Sequence, residues 1–290
     1  MERVPSDRGI ALCNDSAPLN ISTRPMTMQS PISLLARAAI MLSGLVLAGA
    51  AFADPLNVVS SGGFAAAYKA LAAQYEKQSG QQVHAEWGPS MGQTVNAIPA
   101  RLARHEPIDV VIMVGDSLDK LMAAGQLASG SKVALADSRI ACAVPQGAAH
   151  PDIRTVEGLR SALLAAHSVA WSDSASGEYI DKELLQKLGV ADQVRPKGRK
   201  IPATPVGEIV AKHGADFGCQ QRSELLPVAG IDIVGDLPDE VQYVTEFSAA
   251  VVATSTHQAE ARKFLAYLAS PQSAAAIRAT GLVPRATGKQ

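Results

Sequence analysis

The sequence predicts an α/β protein of two lobes, each a mixed, mainly parallel sheet flanked by helices. Three observations lead there. Strand and helix patterns alternate along the chain rather than segregating. Runs such as 109–114 and 140–145 are apolar without interruption, as strands covered on both faces require. Aromatic residues make up only 4% of a chain rich in alanine, which suits slim helices packed on sheets.

The N-terminus reads as a targeting segment. Arg37 precedes the apolar run 38–50, and Ala51-Phe52-Ala53 forms a small-x-small cleavage signal before Asp54. The run is too short to cross a bilayer, which takes about 20 residues. A signal peptide removed after Ala53 is therefore expected, with Met26 and Met28 as alternative starts within 1–53. The mature chain, 54–290, would then reside in the periplasm.

Charge is close to balanced, with 26 Lys and Arg against 27 Asp and Glu. Nothing in it points to nucleic acid. No Cys/His spacing fits zinc and no phosphate or dinucleotide motif is present, so neither metal nor cofactor is expected. A monomer is expected. Cys142 and Cys219 remain after the leader is removed; they would pair as a disulfide or stay as buried thiols.

The elements follow in order. A strand at 56–59 meets the turn Ser60-Ser61-Gly62-Gly63, and helical spacing then runs from Phe64 through Tyr75 to stop at Gly80. A strand at 83–87 meets Gly88-Pro89-Ser90-Met91-Gly92, ahead of a short helix over 94–104. The strand 109–114 leads to a helix over 118–124 that Ser117 is placed to cap. The strand 140–145 precedes a helix through 166 that opens at Thr155. Next, the strand 168–171 enters the turn Ser172-Asp173-Ser174-Ala175-Ser176-Gly177, ahead of a helix over 178–188. Residues 201–206 lead to a short helix ending near His213, and 215–221 form a strand that closes on Gln220 and Gln221. Strands at 231–235 and 249–253 and helices at 259–269 and 272–280 complete the chain. The strand at Ile140 and the return near 241–245 are the expected crossings between lobes. They give 54–138 plus 243–290 as lobe 1 and 139–242 as lobe 2.

Several stretches carry a resemblance. The tail contains Ala249-Ala250-Val251-Val252, then Phe264-Leu265-Ala266-Tyr267-Leu268-Ala269-Ser270-Pro271, then Gly281-Leu282-Val283-Pro284. The middle contains Pro107-Ile108-Asp109-Val110-Val111-Ile112 and Val144-Pro145-Gln146-Gly147. Over about 55–284 the chain resembles the periplasmic molybdate-binding protein family, of the type II solute-binding fold. That resemblance implies an anion held by turn hydroxyls and backbone amides. The turns offer Ser60, Ser61, Gly62, Gly63, Ser90, Met91, Ser174 and Ser176; the family's first-turn serine matches Ser61 or falls near Gly63, and Val206 stands where the family presents a backbone amide. It also implies an ABC permease as partner. Where the family carries a ligand tyrosine this chain has Gln221, beside Gln220, so a carboxylate-bearing guest is expected in preference to molybdate.

The residues also admit plainer roles. Serines ahead of helices commonly serve as N-caps, and a pair of glutamines also suits a solvated edge strand. Arg222 could clamp a carboxylate or form a surface ion pair.

Two functions are expected from this pattern. The first is a binding protein that captures a small anion, a di- or tricarboxylate, in the inter-lobe cleft for import. The second is an enzyme on the same scaffold, because periplasmic aconitate isomerases resemble the same family. That reaction moves a proton without a metal, and Asp116, Tyr179 and His84 are its candidate bases.

Overall fold

The computed structural model describes residues 54–92 and 94–285, so the expected signal peptide lies outside the described residues. Two sheets organise the described chain. The first has six strands in the order β11-β4-β10-β3-β1-β2, with β1 at Leu56–Ser60, β2 at Val83–Trp87, β3 at Val110–Val114, β4 at Val133–Ser138, β10 at Thr245–Val251 and β11 at Val283–Pro284. The second has five, in the order β7-β6-β8-β5-β9, with β5 at Ile140–Pro145, β6 at Val169–Ser172, β7 at Gly198–Ile201, β8 at Phe217–Gln221 and β9 at Ile231–Asp236. The chain passes from the first sheet to the second at Arg139 and returns between Leu237 and Val244.

Parallel pairing dominates where a helix follows each strand. β1 lies parallel to both β2 and β3, and β6 lies parallel to both β7 and β8. The antiparallel contacts involve the crossing strands: β10 pairs with β3 and β4, and β5 pairs with β8 and β9. The consequence for function is geometric. β1, β3, β6 and β8 all end at Ser/Gly or Gln turns, and strand C-termini at a change of direction are where open α/β sheets bind ligands.

Each sheet buries a core of its own. In the first, helix α1 (Gly62–Ser79) lays Phe64, Ala67, Tyr68, Leu71 and Tyr75 onto the sheet, where they meet Phe247 and Phe264. Positions three and four apart share a helical face, so the spacing read from sequence matches the buried stripe. Helices α2 (Ile98–Ala103) and α3 (Gly115–Ala123) cover the opposite face. In the second sheet, α4 (Val156–Ala165) and α5, which begins at Ala175–Tyr179, pack on Cys142, Trp171 and Phe217. Helix α5 passes through a π-helical turn at Ile180–Leu184 and closes at Leu185–Lys187.

Some local expectations change. The helix after β3 begins at Gly115 with Val114 at its cap position, so Ser117 is a buried first-turn residue instead of a cap. Thr155 does cap α4, accepting from the Gly158 N–H at 3.0 Å. Strands β4, β7 and β11 do not stand out in the sequence. β7 reads Gly-Arg-Lys-Ile and is a sheet edge whose charged middle faces solvent, a pattern that carries no apolar alternation. Cys142 and Cys219 face each other in the β5–β8 register and form a disulfide, which decides the alternative that the sequence left open.

Candidate functional site

A cavity of about 1030 Å³ opens at these strand ends. The first sheet's side contributes Ser61, Gly62, Gly63, Trp87 and Val114; the second sheet's side contributes Ser172, Asp173, Ser174, Gln220, Gln221 and Glu224.

The side built on α1 presents donors. Ser61 occupies the N-cap position, with extended backbone angles, yet its hydroxyl makes no capping bond. Its Oγ is buried and has no partner, and the residue lines the cavity. Beside it, the first N–H groups of an 18-residue helix have no carbonyl one turn earlier to bond, and they sit at the positive end of its dipole. Gly63 is needed here because a side-chain carbon would lie 2.1 Å from the Phe247 ring, whereas hydrogen lets the turn close over the core.

The opposite side presents amides and carboxyls. β8 runs in the sheet interior between β6 and β5, so Gln220 and Gln221 are only 3% exposed; the edge-strand alternative falls. Gln220 accepts from the Val206 N–H with its Oε1 at 2.8 Å, and its amide hydrogen-bonds the Glu224 carboxyl. Gln221, which lines the cavity, donates its Nε2 to Thr245 Oγ1 at 2.8 Å, leaving Oε1 buried and unpartnered. Because a threonine hydroxyl both donates and accepts, the amide can turn over to offer its NH₂ instead.

After the short helices α6 (Ala191–Val194) and α7 (Val206–Ala211), Glu224 follows on α8 (Arg222–Leu225), directly after β8. Its carboxyl rests against the start of α1: a Cβ at position 62 would lie 2.2 Å from Glu224 Oε1. Burial pushes its pKa up to about 7, the Gln220 hydrogen bond opposes the rise, and the nearby Asp173 carboxylate adds to it. Cations stay at the periphery. Lys69 is exposed with its Nζ 5.3 Å from the Trp87 ring centre, Lys212 reaches Glu208 at 3.4 Å, and no arginine lines the cavity among the described residues.

Of the positions expected from sequence, Ser61, Gly62, Gly63, Ser174, Gln220 and Gln221 line this cavity. The others support it from behind or lie elsewhere. Ser60 Oγ donates to the Ser61 carbonyl, and Ser90 Oγ accepts from the Val114 N–H at 3.0 Å. Ser176 Oγ is 3.1 Å from Ser172 Oγ, and the Val206 amide is spent on Gln220. Met91 packs against the core beneath α1.

The three candidate bases do not line the cavity. Tyr179 donates its phenol to the Val241 carbonyl at 2.7 Å inside the second core. His84 is exposed on the edge strand β2, and its neighbour Glu86 pairs with Arg101. Asp116 is exposed on α3, where its charge helps raise the Tyr243 phenol's pKa. Arg222 is committed to Asp236 at 2.9 Å, as an ion pair.

Sequence reasoning missed Glu224, Asp173 and Trp87. For Glu224 a signal existed: it is an acidic residue one helical turn past the C-terminal end of an interior strand, the position that open α/β sheets use for ligands.

Chemically, the site sets donors for an anion against a carboxyl that changes protonation near neutral pH. An ionised Glu224 would repel an anion held there, whereas its protonated form could donate a hydrogen bond to one.

The family model for bacterial extracellular solute-binding proteins matches residues 56–283. An aconitate isomerase from a Pseudomonas species is 47% identical over 250 residues, covering 86% of this chain and 95% of that protein. The molybdate-binding protein ModA of Azotobacter vinelandii is 24% identical over 259 residues, covering 85% of this chain and 97% of that protein. Among solved structures, the Azotobacter vinelandii periplasmic molybdate-binding protein superposes with a TM-score of 0.63 at 23% identity, over 79% of this chain and 98% of that one. Peb3 from Campylobacter jejuni superposes with a TM-score of 0.58 at 15% identity, over 79% of this chain and all (100%) of that one. The chain therefore belongs to the bacterial extracellular solute-binding protein family, within its molybdate-binding type that includes aconitate isomerase.

Proposed function

We propose that the protein is a periplasmic aconitate isomerase and that Glu224 is its acid–base residue. The observation that carries this is the Glu224 carboxyl, set in the cleft against the N-terminus of α1 with a pKa near 7. A general acid–base works best when its pKa lies near the operating pH. The relative at 47% identity, named aconitate isomerase, supports the same reading.

The chemistry is a 1,3-proton shift. Ionised Glu224 takes a proton from the methylene next to the double bond. The C–H electron pair moves into the allyl system, and its charge spreads onto the carboxylate oxygens. Glu224 returns the proton to the former vinylic carbon, and the double bond moves by one position. The carbon skeleton is symmetric about this shift, so the product is aconitate again. Rotation before reprotonation decides whether it is cis or trans.

Donors aimed at developing oxygen charge lower such a barrier most effectively in a dry site. Ser61 Oγ, the first-turn amides of α1 and Ser174 would serve that role; Ser61 and Ser174 line the cavity. The Gln221 amide, turned over so that its NH₂ takes the place of the unpartnered Oε1, would orient a carboxylate of the substrate. No step requires a metal or cofactor.

The family match also favours a second reading, capture of the same carboxylate for an ABC permease. One experiment separates the two. The purified mature protein is incubated with trans-aconitate while cis-aconitate and deuterium uptake from D₂O are followed. Turnover is expected, with Glu224→Gln lowering kcat about 10³-fold while still binding aconitate. Saturable binding without turnover at high protein concentration would assign transport instead. Thermal shifts serve as a control on the ligand: tricarboxylates should raise Tm clearly and molybdate little.

A further inference from the structure

The helix that carries Glu224 belongs to the second sheet by sequence, yet it is fastened to the first. Ser223 is 2% exposed, and its Oγ donates to the Gly63 carbonyl of α1 at 2.7 Å. One residue before α8, Gln221 reaches Thr245 of β10. Just after it, Leu226 lies against Gly281, where a side-chain carbon would come within 2.4 Å of Leu226 Cδ1. Residues 221–226 are thus held at three points by residues of α1, β10 and the turn before β11, and Glu224 sits between them.

From this placement we infer that Ser223 is a positioning residue. Its bond to Gly63 keeps the Glu224 carboxyl seated on the first turn of α1 while the rest of the second lobe is free to hinge. Without the bond, only the ties at Gln221 and Leu226 remain, and the turn between them loosens. The carboxyl would then leave the helix terminus and gain water.

Other charges near the cavity leave this contact in control. Asp173 faces Glu224 from the turn after β6. Lys69 stands farther along α1 over Trp87, Glu208 and Lys212 pair on the helix Val206–Ala211, and Arg222 turns away to Asp236. None of these depends on the Ser223 hydroxyl, so its removal changes the hydration of Glu224 without deleting a charge.

The kinetic arm of the test rests on the isomerase proposal; the spectroscopic arm does not. Ser223→Ala should leave KM for trans-aconitate within about threefold and lower kcat about tenfold or more. It should also move the acid limb of the pH–rate profile down by about one unit, toward an ordinary carboxylate. A serine that only stabilises the fold would lower Tm and leave that limb in place. In protein labelled with ¹³C-glutamate, the resonance lost in Glu224→Gln identifies the carboxyl, whose titration should fall by a similar amount in Ser223→Ala. Should Ser223→Ala fail to fold, Gly62→Ala tests the same seat, because its methyl occupies the place of Glu224 Oε1, the mobile end of a side chain. An unmoved titration in whichever variant folds would overturn the inference. If the wild type shows no turnover, the isomerase proposal falls alone and the resonance still decides the role of Ser223.

Discussion

The two faces of the cleft are built on different principles. The α1 face is made of hydrogen-bond donors that follow from local chain geometry: a serine and two glycines at the start of a helix. The β8–α8 face is made of two amides and a carboxyl that have little local meaning and acquire their properties by burial. A donor face alone is enough to hold an oxyanion. Under the isomerase proposal, an adjoining face whose charge changes near neutral pH would add proton exchange to binding. The second lobe also has its own Ser/Gly turn, yet there Ser176 spends its hydroxyl on Ser172, while Ser61 keeps its hydroxyl free.

The strongest challenge to this contrast is to loosen the β8 face as a whole. The Cys142–Cys219 bridge ties β8 to β5 immediately before Gln220. The double variant Cys142→Ser/Cys219→Ser should lose about 3–4 kcal/mol in urea unfolding, the usual contribution of a bridge closing a long loop. Aconitate affinity should fall with it. Unchanged affinity would show that the amide face does not depend on that tie.

A smaller effect is expected from pH. The folded chain holds the Glu224 proton more tightly than the unfolded chain does, since its pKa is about 7 against an ordinary 4.5. Its contribution to stability is therefore full below about pH 4.5 and is lost as the pH rises through about 7. The loss amounts to about 1–3 kcal/mol, and Glu224→Gln should abolish that part of the slope in denaturation series between pH 4 and pH 8.5.

On the donor face, Ser61→Ala should weaken aconitate binding about tenfold by calorimetry. It should cost under about 0.5 kcal/mol of stability, because the hydroxyl makes no capping bond to lose. The smallest effect belongs to Ser176→Ala, with affinity within about twofold, since its partner is another hydroxyl inside the lobe. If Ser176→Ala weakens binding as much as Ser61→Ala, the asymmetry between the two turns is wrong.

Much of the fold was legible, for reasons visible in particular elements. Val110–Val114 is apolar at every position because helices cover both faces of the sheet, and α1 shows its buried stripe at helical spacing. β7 was not legible, since an edge strand with Arg199 and Lys200 in solvent needs no apolar signature. The site was legible by halves. Ser61, Gly62, Gly63 and Ser174 stand at turns whose grammar is local. Gln220 and Gln221 were noticed because amides at the end of an apolar strand are out of place. Tyr179, His84 and Asp116 were attractive as titratable side chains near strand or helix ends, but direction along an element does not tell which face a side chain takes. Tyr179 turns inward to Val241, and His84 and Asp116 turn outward to solvent.

The sequence by itself determined the α/β alternation, the two-lobe plan and the Ser/Gly turns at the strand ends. Each depends on periodicity or on a few consecutive residues. Tertiary structure alone decided that Cys142 meets Cys219 and that Ser61 keeps a free hydroxyl while Ser176 does not. It also decided that an acidic residue 160 positions away from Gly63's neighbour Phe64, Glu224, comes to rest on the first turn of α1. A carboxyl's pKa depends on how much water and charge surround it, and those surroundings are assembled by strands distant in the chain.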